Sequence, residues 1–155
     1  MKIFFLSVLL SSMAHAQNAV FGSLSNDRNE PLHFNSDSLI FNQAKNIAEL
    51  FDGVKITQGK STLNAEYVKV IYSKTDNSLE EILAERNVEL KSNTDIAKAY
   101  KAVYSLVGNS ISLTGHAQLV QGSNKILADQ IFIDTKTGLT QLLGGVKTVI
   151  LPSTN

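Results

Sequence analysis

From Pro31 onward, apolar residues recur at every second position. Leu32 and Phe34 alternate with His33 and Asn35, Leu39 and Phe41 with Ile40 and Asn42, Ala48 and Leu50 with Glu49, and Val54 and Ile56 with Lys55 and Thr57. Further on, Ile111 and Leu113, Ala117 and Leu119, and Ile131 and Ile133 keep the period, and Val149 and Leu151 close the chain. A period of two places one apolar face on each segment and predicts half-buried strands. Leu63, Ala65 and Tyr67 share one parity, whereas Val68, Val70 and Tyr72 take the other. That phase change predicts a bulge or bend near Tyr67. Turn signals punctuate the runs: Asp52-Gly53, Gln58-Gly59, Asp76-Asn77, Gly108-Asn109, Thr114-Gly115, Gln121-Gly122, Thr137-Gly138 and Gly144-Gly145. Short alternating runs between evenly spread turns predict an all-β sandwich, barrel or jelly roll.

One stretch resists this reading. Leu79 to Val107 is rich in Ala, Glu and Lys, and Ile96, Ala99, Tyr100 and Val103 fall at helical spacing. Propensity alone favours a helix there. Yet Ile82, Ala84, Val88 and Leu90 share one parity, and the rest of the chain is consistently β, so strands are expected here too. The chain also aligns with itself at an offset of 63: Gln58-Gly59 with Gln121-Gly122, Ala65-Glu66 with Ala128-Asp129, and Val68 and Val70 with Ile131 and Ile133. The shared phrase is apolar-x-apolar-x-Gln-Gly, then Ala-acid before an apolar pair. It points to duplicated hairpin units stacked along one apolar interior.

The N-terminus has a different grammar. Lys2 precedes an apolar run from Ile3 to Met13, interrupted only by serines, and Ala14-His15-Ala16 is a small-x-small cleavage site. This is the pattern of a secretory signal peptide over residues 1–16. The run is far short of the roughly 20 residues that span a bilayer. Export by a cleavable signal implies a bacterial envelope protein, soluble once processed. Residues 17–30 are mostly polar and are expected to form a flexible leader. Residues 31–152 form the β domain, and 153–155 a short tail.

Composition and charge then exclude several functions. The 155 residues carry 14 Lys+Arg and 14 Asp+Glu, so no broad basic face is available for nucleic acid. The absence of Cys removes disulfides, thiol nucleophiles, zinc-thiolate sites and iron–sulfur clusters. Of the histidines, His15 leaves with the signal; His33 falls on the polar parity, and His116 follows a turn glycine. No G-x-S-x-G, H-E-x-x-H, Walker A or G-x-G-x-x-G motif is present. No enzyme, metal site or cofactor is expected, and the absences favour a binding or structural module. An open sandwich lined with Leu, Ile, Val and Phe offers a groove for an apolar ligand. Acyl chains are the natural candidate in an envelope, since each buried CH₂ is worth about 0.8 kcal/mol. The competing reading is a structural envelope module with a closed core.

Several segments resemble one known family. Pro31-Leu32-His33-Phe34-Asn35-Ser36-Asp37 resembles the opening P-[IL]-x-[IF]-x-[SA]-[DE] of the OstA/LptA family. Asp52-Gly53-Val54-Lys55-Ile56-Thr57-Gln58-Gly59 resembles its Q-G block, without the usual Asn, and Leu63-Asn64-Ala65-Glu66-Tyr67-Val68-Lys69-Val70 its Ala-acid strand. Leu113 to Leu119, Val120-Gln121-Gly122 and Ala128-Asp129-Gln130-Ile131 repeat those phrases, and Val149-Ile150-Leu151-Pro152 is similar to its closing strand.

The resemblance implies an open, twisted, V-shaped β-jelly roll in the periplasm that carries lipopolysaccharide, with lipid A acyl chains in its groove. It also implies a head-to-tail homo-oligomer bridging LptC at the inner membrane to LptD at the outer membrane, touching membranes only through those partners. Under it, Leu32 and Phe34 are lipid contacts at the groove mouth and the upstream junction. Val54, Ile56, Leu63, Val68, Val70, Leu113, Leu119, Ile131 and Ile133 line the groove, and Thr148, Val149, Ile150 and Leu151 face the next protomer or LptD. The alternatives within the family are an LptC-like component, which would keep a membrane anchor where this chain has a cleavable-looking signal, and a free-standing piece resembling the LptD periplasmic domain.

Overall fold

The computed structural model describes residues 21–152. The expected signal peptide, residues 17–20 of the expected leader and the tail at 153–155 lie outside the described residues. A short helix, α1 (Ser23–Asp27), precedes ten strands: β1 (Leu32–Asn35), β2 (Ser38–Asn42), β3 (Ile47–Gln58), β4 (Ser61–Tyr72), β5 (Leu79–Ser92), β6 (Asp95–Ser105), β7 (Ser110–Gln121), β8 (Asn124–Asp134), β9 (Thr140–Leu143) and β10 (Lys147–Val149). All pairings are antiparallel, in the order β1-β3-β4-β5-β6-β7-β8-β10. β2 adds to β3 and β9 to β8. The stretch from Leu79 to Val107 is strand, as parity argued: Ile82, Ala84, Val88 and Leu90 are all buried, and pairing on both sides overrides helix propensity.

Each of the six long strands is bent at mid-length. The pairing register shifts between Phe51 and Val54, Asn64 and Tyr67, Glu85 and Val88, Lys98 and Lys101, and Thr114 and Ala117. On the odd strands the bend is a left-handed dipeptide: Asp52-Gly53 (φ 59° and 57°), Arg86-Asn87 (65° and 51°) and Gly115-His116 (82° and 51°). On the even strands a buried alanine marks the same line: Ala65, Ala99 and Ala128. The bend expected near Tyr67 is thus one link of a spine crossing the whole sheet. Asp52-Gly53 and Thr114-Gly115, expected to be turns, lie inside strands β3 and β7. Two left-handed residues bend a strand as readily as they reverse it, and the continuous partner strand decides which.

The spine divides the sheet into two layers. One contains β2, the half-strands 47–51, 67–72, 79–85, 101–105, 110–114 and 130–134, and β9. The other contains β1, the half-strands 54–58, 61–65, 88–92, 95–99, 117–121 and 124–128, and β10. Both turn their apolar faces inward, giving a single core between the arms of an open, V-shaped β-jelly roll. The duplicated hairpin is real and tripled: β3–β4, β5–β6 and β7–β8 place their spine alanines 34 and then 29 residues apart. The middle copy hides in the sequence because Asn93-Thr94 replaces the Gln-Gly turn and Tyr100 follows its alanine instead of an acid.

The acids of the repeated Ala-acid phrase serve the spine. Glu66 accepts hydrogen bonds from Arg86 Nε (3.2 Å) and from the Asn87 amide, so it caps the neighbouring bend. Asp129 donates its backbone N–H to Gly144 O at 2.9 Å and packs against the Gly144-Gly145 bend that joins β9 to β10.

Candidate functional site

The interior is lined by small residues at the spine and changes character towards the tips of the V. Alanines 65, 84, 99, 102, 117 and 128 flank the spine, where the arms diverge and little width is available. Leu63, Val70, Ile82, Leu90, Ile111, Leu119 and Ile133 fill the next rows outward. Each such side chain contributes about 1.5–3 kcal/mol on burial. At the tips of the arm that carries β1, the inward positions become polar: Gln58, Ser61, Ser92 and Gln121 form a rim. Tyr104 reaches across the mouth from the other arm and donates its hydroxyl to Gln58 Oε1 at 3.4 Å. Burial pushes the Tyr104 phenol above its ordinary value.

The residues expected to line a groove all face this interior. Val54, Ile56, Leu63, Val68, Val70, Leu113, Leu119, Ile131 and Ile133 belong to one buried cluster, and Leu32 and Phe34 pack half-buried against it from edge strand β1. The space left among them is small. A cavity of about 40 Å³ lies just inside the mouth, lined by Leu32, Ile56 and Leu63 from one arm, Tyr104, Ile111 and Thr135 from the other, and Leu24 above. Sites for small organic ligands enclose roughly 300–1,000 Å³. An acyl chain therefore enters only if the arms part or something leaves the mouth.

What fills the mouth is the segment expected to be a flexible leader. Residues 21–30 pack across the mouth, with Phe21 fully buried and Leu24 nearly so. Phe21 donates its N–H to Asp95 Oδ2 at 2.9 Å, and Gln121 donates to the other oxygen of that carboxylate at 2.9 Å. The Ser23 and Ser92 hydroxyls are hydrogen-bonded. Asp27 accepts from the Lys60 N–H (3.0 Å) and the Ser61 hydroxyl (2.7 Å), and Gln58 donates to the carbonyls of Arg28 (3.1 Å) and Glu30 (3.0 Å). A side chain at Gly59 would collide with Asp27, and one at Gly138 would meet Gly22, so α1 is wedged between the tips of both arms. The polar leader hid this because Phe21 and Leu24 are its main apolar marks; their i, i+3 spacing was the available signal.

Both ends of the sheet are edges. Among the described residues β1 and β2 each pair on one side only, as do β9 and β10. The first edge exposes Leu39, Ile40 and Phe41; the last exposes Leu143, Val146, Val149, Ile150 and Leu151. Thr148 and Val149 pair with Ile126 and Lys125, leaving the outer side of β10 free within the described residues, while Ile150 and Leu151 run on beyond the strand. The outer faces are polar. Glu89 lies 2.9 Å from Lys91 and 3.1 Å from Lys98, and the Lys91 ammonium leads in holding its carboxyl below the usual range. Tyr67 donates to Glu49 at 2.6 Å and its phenol is pushed up to about 12, first by burial and then by that carboxylate. Among the described residues no three His, Asp or Glu are grouped to hold a metal, and His33 and His116 are both exposed.

Two kinked antiparallel arms around a filled apolar interior, with strand edges at both ends unpaired among the described residues, define an open β-jelly roll. Comparison with known proteins narrows that class. The profile of the LptA/(LptD N-terminal domain) LPS transport protein family matches residues 33–139, and the chain belongs to that family. It is 28% identical to the lipopolysaccharide export system protein LptA of Haemophilus influenzae over 94% of this chain and 91% of that protein. The fold is similar to that of LptH from Pseudomonas aeruginosa, described as the LptA-homologous periplasmic component of a lipopolysaccharide transport device. The TM-score is 0.67 at 21% identity, covering 81% of this chain and 99% of the other.

Proposed function

We propose that this protein is a periplasmic lipopolysaccharide carrier that shields lipid A acyl chains between the arms of its V and hands them along a row of like modules. The observation that carries the reading is the convergence of Leu32, Phe34, Ile56, Leu63 and Ile111 on one apolar interior beside a polar rim. That arrangement suits a lipid whose chains must be buried and whose sugars must stay wet. The groove lining is the set named above, with Leu32 and Phe34 at the entrance. Among the described residues no helix is long and apolar enough to cross a membrane. The unpaired edges support head-to-tail assembly. β1–β2 of one copy and Thr148 to Leu151 of the next are different surfaces, so their contact is heterologous and extends into rods by β-augmentation. LptC upstream and LptD downstream would use the same two edges.

The tightly packed interior favours a second reading, a structural envelope module that binds no lipid. Photo-crosslinking separates the two. A photoreactive residue replaces Phe34 in one protein and the outward-facing Lys69 in another. Labelling of lipopolysaccharide from position 34 but not 69 is expected. Labelling from neither position of a folded protein overturns the carrier reading.

A further inference from the structure

We infer that residues 21–30 are a built-in plug that an incoming acyl chain displaces, so the apolar seat is guarded by the chain's own N-terminal segment. This rests on the carrier reading. Among the described residues the segment makes no strand pairing and is continuous with the sheet through Pro31 and β1, so it can swing away without breaking a ladder hydrogen bond. Its buried side chains, Phe21 and Leu24, supply apolar surface between the tips of the two arms, and Leu24 lines the small cavity. Its attachments are a polar latch of side-chain hydrogen bonds along the rim: Asp27 to Ser61, Ser23 to Ser92 and Phe21 to Asp95. Such contacts hold position, yet each rim group can turn to water when the segment leaves. With the plug out, the rim opens onto the interior, and the space under Leu24 joins the space Phe21 and Leu24 had filled. The repeated Gln-Gly phrase acquires a role in this light. Gln58 grips the plug directly, and its counterpart Gln121 grips it through Asp95.

A reversible lock tests the plug. The chain has no cysteine, so Ser23→Cys with Ser92→Cys introduces a single possible disulfide across the latch. Binding of fluorescent lipopolysaccharide is titrated with the oxidised protein, the reduced protein and the wild type, each checked for native circular dichroism. The oxidised form is expected to bind at least about tenfold more weakly, with reduction restoring affinity, because binding scales with the open fraction. Equal binding by oxidised and reduced forms overturns the plug and leaves the carrier reading standing. No binding by the wild type sinks both. Asp27→Ala provides a test independent of the disulfide: a loosened latch should tighten binding, and a folded variant with unchanged or weaker affinity counts against the proposal.

Discussion

The spine and the mouth of the V are held by different kinds of interaction. At the spine, ladder hydrogen bonds continue on both sides of every bend, buried alanines bring the arms together, and the left-handed dipeptides are braced by neighbours such as Glu66. At the mouth, a five-residue helix and a handful of side-chain hydrogen bonds close the gap. Stability of this kind is not uniform: regions tied by few buried contacts open locally long before the whole unfolds. The spine sets the shape, and the mouth is where the shape can change.

Four substitutions or conditions sharpen that contrast. The largest effect belongs to Leu113→Ala, beside the spine on β7. Its side chain is fully buried, and truncation should cost about 2–5 kcal/mol in a urea melt. Gly115→Ala comes next. Its φ of 82° disfavours a side chain, and a Cβ there would sit 2.8 Å from that of Tyr100. A loss of about 1–2 kcal/mol is expected from the backbone term alone, measured the same way. Leu32→Asp with Phe34→Asp strikes the mouth instead. Both residues are half-buried on an edge strand, so the protein should stay folded by circular dichroism while lipopolysaccharide binding is abolished; intact binding would mean that β1 does not border the groove.

The smallest effect is a pH dependence. Tyr67 titrates near 12 when folded and near 10.0 when unfolded, so the folded state holds its proton more tightly. Its contribution is complete below pH 10, fades as pH rises through 12, and should be absent in Tyr67→Phe over that alkaline window.

Much of this was legible without a structure. The period of two identified the strands, and the phase change at Tyr67 located one bend, because side chains alternate strictly on a pleated strand. The offset of 63 found two copies of the hairpin. The residues assigned to the lining share one face because parity is a local property that survives folding. Asp52-Gly53 and Thr114-Gly115 were misread as turns, since a left-handed pair has the same local geometry whether the chain reverses or bends. The contacts of residues 21–30 with the rim were not legible, since two buried side chains in a polar stretch gain their value only from the gap they fill.

The sequence by itself therefore determined which residues form strands, which side of each strand is apolar, and that hairpin units repeat. These follow from local alternation and turn chemistry. Only the tertiary structure decided that the bends align into one spine, that a polar rim lines the mouth, and that the N-terminal segment closes it. Those depend on which strand lies beside which, a relation between residues distant along the chain that no local pattern carries.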